Sequence, residues 1–202
     1  MLDQLTSAEN KVAQDIINSG LTNAAHSMEQ IVQSKVQIDA VDFTLKKSGD
    51  TTLFTAKKSP NIHLLKTVLK GDLKGVCYLV LSMDEVNTIH EKCLPEKMLG
   101  TNSAKALMMK GAILTEIDNM LSAAMITELA NHLEVDIHGD VPHLKVVKPE
   151  NINQVIAQEA EEYACQLNFK AVFHAKELDI SPDFVWLLDD DFIHKIKSKN
   201  AQ

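Results

Sequence analysis

Arginine is absent from the 202 residues: all 20 basic side chains are lysine, set against 28 acids for a formal net charge of -8. An acidic chain without guanidinium groups lacks the cationic surface that nucleic acid needs. It also lacks the planar donor fork that commonly clamps phosphate or carboxylate. The expectation is no nucleic-acid partner, and any phosphate chemistry must borrow its cations. Cysteine is scarce as well: Cys77, Cys93 and Cys165 lie far apart with no CxxC spacing and read as reduced thiols. The start of the chain has no basic segment leading into an apolar one. The longest unbroken apolar run, Val76 to Leu81, is far short of the roughly 20 residues that a spanning helix needs. These absences predict a cytoplasmic protein with no membrane span. What is present is 45% hydrophobic residues, enough to bury a real core and to exclude disorder as the main state.

The chain reads twice. Asp15-Ile16-Ile17-Asn18 returns 101 residues later as Glu116-Ile117-Asp118-Asn119, each time inside a long helix-like stretch followed by strands and a closing helix. In the first copy, Thr6-Ser7-Ala8-Glu9 has the form of a capping box and predicts a helix to about Ser34. Alternation at Val36, Ile38 and Ala40 predicts a strand, and Ser48-Gly49-Asp50 a turn. Ile62 to Leu69 leads through Gly71 to Gly75 into Val76 to Leu81 as a hairpin. A second capping box, Ser82 to Glu85, opens a helix that Pro95 closes. In the second copy, Asn102-Ser103 starts a helix to about Leu133. Strands are expected at Val135 to Ile137 and His143 to Val147, and a helix after Pro149. A half-buried strand is read from Leu167, Phe169, Ala171 and Phe173, and an apolar strand over Phe184 to Leu188. Asp189-Asp190-Asp191 is expected to cap a last short helix, Phe192 to Lys197. With no low-complexity linker, the expectation is one domain over 1–202, built of pseudo-repeats at about 1–100 and 101–202.

Helical geometry then sorts the two motifs. At 100° per residue, Glu116 and Asn119 share a face with Ala112, while Ile113, Ile117, Met120, Leu121 and Ala124 cluster about 130° away as the buried side. In the first helix, Val12, Ile16, Gly20, Ala24 and Ile31 form the buried side and Asp15 and Asn18 lie opposite. Four polar side chains are thus expected to face outward as two matched pairs.

Asp15-Ile-Ile-Asn18-Ser-Gly20-Leu-Thr-Asn23-Ala24-Ala25 resembles the first signature helix of the CheC, CheX and FliY phosphatases, approximately E-I-G-N-I-G-x-G-N-A-A. Glu116-Ile-Asp-Asn119-Met-Leu-Ser122-Ala-Ala-Met resembles their second, E-I-G-N-I-L-S-G-A. Leu5-Thr6 and the Gly71-Asp-Leu-Lys-Gly75 turn match the same layout, and the likeness spans nearly the whole chain in the two-motif CheC arrangement. It implies an α+β, CheC-like, pseudo-twofold duplicated unit with two long motif helices packed on an antiparallel β-sheet. It also implies an activity in chemotaxis or two-component signalling: hydrolysis of the aspartyl phosphate of a CheY-like receiver domain. By resemblance, Glu116 and Asp15 are the carboxylates that would meet the receiver's lysine. Asn119 and Asn18 are the amides that would orient the attacking water. Mg²⁺ is expected in the partner receiver and no cofactor in this chain. The family signature is [D/S]-x3-E-x2-N, and both copies depart from it: Ala112 stands at the first position of the second motif, and Lys11 and Asp15 replace two residues of the first. The second site is therefore expected to dominate. The rival reading is a non-catalytic adaptor that binds a receiver or a CheD-like deamidase.

Other candidates weigh less. His138 and His143, with Asp136 and Asp140, read as surface groups rather than metal ligands. Lys46-Lys47 and Lys57-Lys58 read as solvated edge residues. Met108, Met109, Met120 and Met125 read as core filler.

Overall fold

Both motif helices form. The computed structural model describes residues 6–48, 59–176 and 178–200. α1 (Ser7–Val32) starts where the Thr6/Glu9 pair predicts, with both reciprocal bonds of the capping box made. α4 (Ala104–Leu133) starts behind Ser103, whose hydroxyl accepts from the Ala106 N–H. Between them run β1 (Val36–Lys47), the hairpin β2 (Ile62–Gly71) and β3 (Gly75–Ser82), then α2 (Met83–Cys93) behind its own Ser82/Glu85 box, and a single turn, α3 (Glu96–Leu99). After α4 come β4 (Ile137–Gly139), β5 (His143–Val147), α5 (Pro149–Ala160), β6 (Cys165–Ala175), β7 (Asp183–Leu188) and α6 (Asp190–Asn200).

All pairings in the sheet are antiparallel, in the order β1-β6-β7-β3-β2-β4, with β5 also on β2. The order is a palindrome of the repeat. β1 of the first copy pairs with β6 of the second, and β4 and β5 of the second pair with β2 of the first. The match holds residue by residue: Thr44 faces Asn168 as its counterpart Lys145 faces Leu64, and Gly71 faces Ile137 as Ala175 faces Val36. At the centre, Leu79 of β3 faces Phe184 of β7, so the pseudo-twofold axis passes between the two hairpins.

Alternation along the strands gives the sheet two buried faces. Leu65, Leu69, Cys77, Leu79, Leu81, Phe169, Phe184 and Trp186 point to the side covered by α1 and α4, with α2 and α6 at its margins. Ile62, Leu64, Val76, Tyr78, Val80, Val185 and Leu187 point to the other side, covered by α5. There Glu159 of α5 accepts from Lys66 Nζ at 2.6 Å and from Tyr78 OH at 3.2 Å.

Several local expectations shift. The strand expected at 135–137 lies at 137–139, because Asp136 is tied instead to the β2–β3 turn. Its N–H donates to Asp72 Oδ2, and its carbonyl accepts from the Asp72 N–H. Gly71, at φ 114°, lets this happen; a Cβ there would lie 2.1 Å from the Asp136 carbonyl oxygen. Asp189 also serves the β2–β3 turn, accepting from the Lys74 N–H at 2.9 Å. α3 was not expected. Gly49, Asp50, Lys57 and Lys58 lie outside the described residues.

Candidate functional site

The two motif helices cross at their closest on Gly20. A Cβ added there would fall 2.6 Å from the Cα of Met125, so only a hydrogen fits between the backbones. Asn23 Nδ2 then donates to Glu128 Oε1 across the pair at 2.7 Å. This contact fixes the outward faces of α1 and α4 relative to one another.

On α4, Met108, Ala112, Glu116, Asn119, Ala123 and Thr127 are all exposed and follow one another at helical spacing. Glu116 and Asn119 sit mid-stripe, flanked by the small side chains of Ala112 and Ala123. On α1, Asp15 is exposed and Asn18 half-buried. These two line an open groove of about 750 Å³ between α1 and the outer end of β1, with Lys11, Gln14, Phe43 and Lys46 among its walls. None of the four motif side chains makes a hydrogen bond or ion pair among the described residues. Each pair stays within its own helix, on opposite sides of the pseudo-twofold axis.

The beginning of α4 is held firmly. Lys110 Nζ donates to the carbonyls of Leu99 and Thr101, and His90 Nε2 lies 3.0 Å from the carbonyl oxygen of Lys110, which requires an N–H there. The position of Gly111 is 3.9 Å short of Leu144 Cδ2 once a Cβ is added, so β5 runs alongside the helix as β1 runs alongside α1. The surroundings differ chemically: where the first motif has Ser7, Lys11 and Leu45, the second has Met108, Ala112 and an exposed Val146. Met108, expected in the core, is 76% exposed; Met125 alone of the four methionines is fully buried.

One polar residue of the site escaped the sequence reading. Asp118, between Glu116 and Asn119, points the opposite way and is 1% exposed. Its Oδ2 accepts from Thr67 Oγ1 of β2 at 2.9 Å, and its Oδ1 from Ser122 Oγ at 3.3 Å. Burial pushes its carboxyl up to about 7, against the opposing effect of the two hydroxyls. The same burial, with Asp118 nearby, raises the thiol of Cys77, which faces Thr67 across the hairpin. A helical wheel hides this residue because aspartate is mostly an exposed type.

Cys77 and Cys165 are buried and Cys93 is half-buried, all three as free thiols. Among the described residues no group of three or more His, Cys, Asp or Glu side chains is arranged to hold a metal ion, and no helix is long and apolar enough to cross a membrane.

No protein-family model matches the chain, and no curated protein sequence matches it. Solved structures do. Thermotoga maritima FliY superposes over 100% of this chain and 98% of its own, with a TM-score of 0.73 at 16% identity. The chain has the CheC/CheX/FliY fold. FliM in its complex with SpeE from H. pylori is similar over 98% of both chains (TM-score 0.64, 12% identity). CheX in the CheX-CheY-BeF3-Mg²⁺ complex from Borrelia burgdorferi is similar over 88% of this chain and 99% of its own (TM-score 0.54, 12% identity). These likenesses extend over the helices and the antiparallel sheet of nearly the whole chain.

Proposed function

We propose that this chain is a phosphatase of phosphorylated CheY-like receiver domains, working mainly through Glu116 and Asn119. The observation that carries the reading is the stripe on α4. A carboxylate and an amide one turn apart stand exposed between two alanines and, among the described residues, have no partner, as a docking partner with its own cation and lysine would require. The fold neighbour solved together with CheY, BeF3 and Mg²⁺ supports the choice of partner, since trifluoroberyllate imitates a phosphoryl group.

Phosphoryl transfer asks for little covalent help. Its barrier falls when water is held in line and charge is balanced on the oxygens. Mg²⁺ and a lysine of the receiver supply that charge. Glu116 contributes a charge-assisted bond to the lysine, which fixes the orientation of the complex. Asn119 holds the attacking water through its side-chain amide. No cation from this arginine-free chain is needed.

The first motif is the weaker site. Asp15 falls about 1.5 Å short of the reach of a glutamate by ordinary bond lengths, and Lys11, a turn earlier on the same exposed side, would approach the partner's lysine with like charge.

A second reading is a binding module without catalysis, docking a receiver or a CheD-like deamidase in the cytoplasm. The departures at Lys11, Asp15 and Ala112 favour it, as do FliM structures solved in complex with other proteins. The deciding experiment charges a receiver with phosphate and follows phosphate loss with and without the chain. Acceleration that disappears in Asn119→Ala supports the enzyme; stable binding without acceleration supports the module.

A further inference from the structure

The pseudo-twofold makes it possible to ask what the fold itself requires beneath each motif. Asp118 corresponds to Ile17, Ser122 to Leu21, and Thr67 to Ala171 by the matched pairings of β2 and β6. Ile17, Leu21 and Ala171 are buried and apolar; Asp118, Ser122 and Thr67 are equally buried and polar. The first half thus packs this position with hydrocarbon alone. Placing a carboxyl there in the second half costs desolvation that the fold does not demand, and it occurs directly behind the motif with the better match to the signature.

We propose that Asp118 is a positioning residue: gripped by Thr67 of β2 and Ser122 of α4, it fixes how α4 sits on the sheet behind Glu116 and Asn119, and the seating changes as the carboxyl gains or loses its proton. The ionised carboxylate accepts from both hydroxyls, and each bond is charge-assisted. Once protonated, the group must donate to one of them, which then becomes an acceptor and has to place its own hydrogen elsewhere. Ser122 can turn to the Asp118 carbonyl one helical turn back. The strand and the helix are therefore held by different bonds in the two states.

Apart from the two hydroxyls, the titratable group near the carboxyl is the Cys77 thiol on β3, itself held protonated by burial. No charged side chain contributes to the upward displacement of Asp118, which burial causes. α1 contributes Ile16, Ile17 and Leu21 to the apolar core on this side of the sheet, and β4 brings Gly139, whose added Cβ would lie 3.0 Å from Thr67 Cγ2. Among the described residues, burial is thus what raises the carboxyl, with no charged side chain acting on it.

The functional half of this proposal rests on the phosphatase reading; the structural half does not, and the test separates them. The full chain, labelled at its methionine methyl groups, is titrated by NMR from pH 5 to 9 while the Asp118 carboxyl carbon is followed. Met125, two turns further along α4 and wedged against Gly20, should shift with the same midpoint as Asp118. It should stay fixed in Asp118→Asn and Thr67→Val and shift again in Thr67→Ser, which restores the hydroxyl. In parallel, the chain's contribution to receiver dephosphorylation, with the receiver's own loss subtracted, should rise about tenfold across the two pH units centred on the midpoint measured for the Asp118 carboxyl, because only the ionised carboxylate accepts from both hydroxyls. That rise should be absent in Asp118→Asn and Thr67→Val. A Met125 methyl indifferent to the Asp118 titration overturns the proposal, as does an unchanged pH profile in both hydrogen-bond variants. A coupled Met125 with no acceleration at any pH overturns the phosphatase reading and leaves the positioning role supported.

Discussion

Asp118 gives the folded chain a pH dependence opposite to that of a salt-bridged carboxylate. Its carboxyl is held up to about 7 by burial, whereas an unfolded aspartate loses its proton near 4. Between those values the folded state binds the proton and the unfolded state does not, so unfolding releases it. The contribution to stability is complete below about pH 4 and is lost as pH rises through about 7. Urea denaturation should show wild type losing stability on the order of a few kcal/mol between pH 4 and 8 from this group, with Asp118→Asn flatter and more stable than wild type at pH 8. Parallel profiles for the two proteins would contradict the assignment. At the exposed motif positions the expectations concern function instead. Glu116→Ala should weaken receiver binding by roughly 2 to 5 kcal/mol, part of it from leaving the partner's lysine unpaired, as calorimetry can measure. The outward placement of Glu116 and Asp15 followed from 3.6-residue periodicity alone. The inward turn of Asp118 did not, because no rule of spacing predicts a buried carboxylate whose partner hydroxyl lies on a strand far away in sequence.

The elements were most legible where the signal is local. The Thr6/Glu9 and Ser82/Glu85 boxes marked helix starts that are made as expected, because each depends on two residues three apart. The outer strands were harder to place, since their limits are set by partners from the other copy. β1 is kinked at Asp42 (φ 56°), where its register on β6 slips. At the equivalent place the strand is interrupted altogether, between β4 and β5 around Val141 and Pro142. Helix packing offers the sharpest test at this scale. Gly20→Ala should push α1 and α4 apart at the Met125 contact, costing roughly 1 to 3 kcal/mol as overpacking does. It should also disturb both motifs, although position 20 touches neither. Thermal unfolding and the dephosphorylation assay together check this, and a variant as stable and active as wild type would mean that the helices are not held by that crossing.

Across the whole molecule, the strand exchange makes each half depend on the other. β1 finds its partner in β6, and β2 holds both β4 and β5, so a chain ending near residue 100 leaves β1 unpaired and β3 without β7. We expect residues 1–100 and 101–202 to remain unfolded alone, and the full chain to unfold in a single transition by circular dichroism and Trp186 fluorescence, as one cooperative unit should. Two separated transitions would contradict that. The same symmetry offers two motif sites on one molecule and makes their inequality measurable. The central claim is that Asn119 on α4 carries receiver dephosphorylation. It is tested most directly by measuring phosphate loss from one phosphorylated receiver with wild type, Asn18→Ala and Asn119→Ala side by side. The account predicts that Asn18→Ala keeps most of the acceleration and that Asn119→Ala loses it by roughly 10²-fold or more. Unchanged acceleration in Asn119→Ala, or a larger loss in Asn18→Ala, would contradict it.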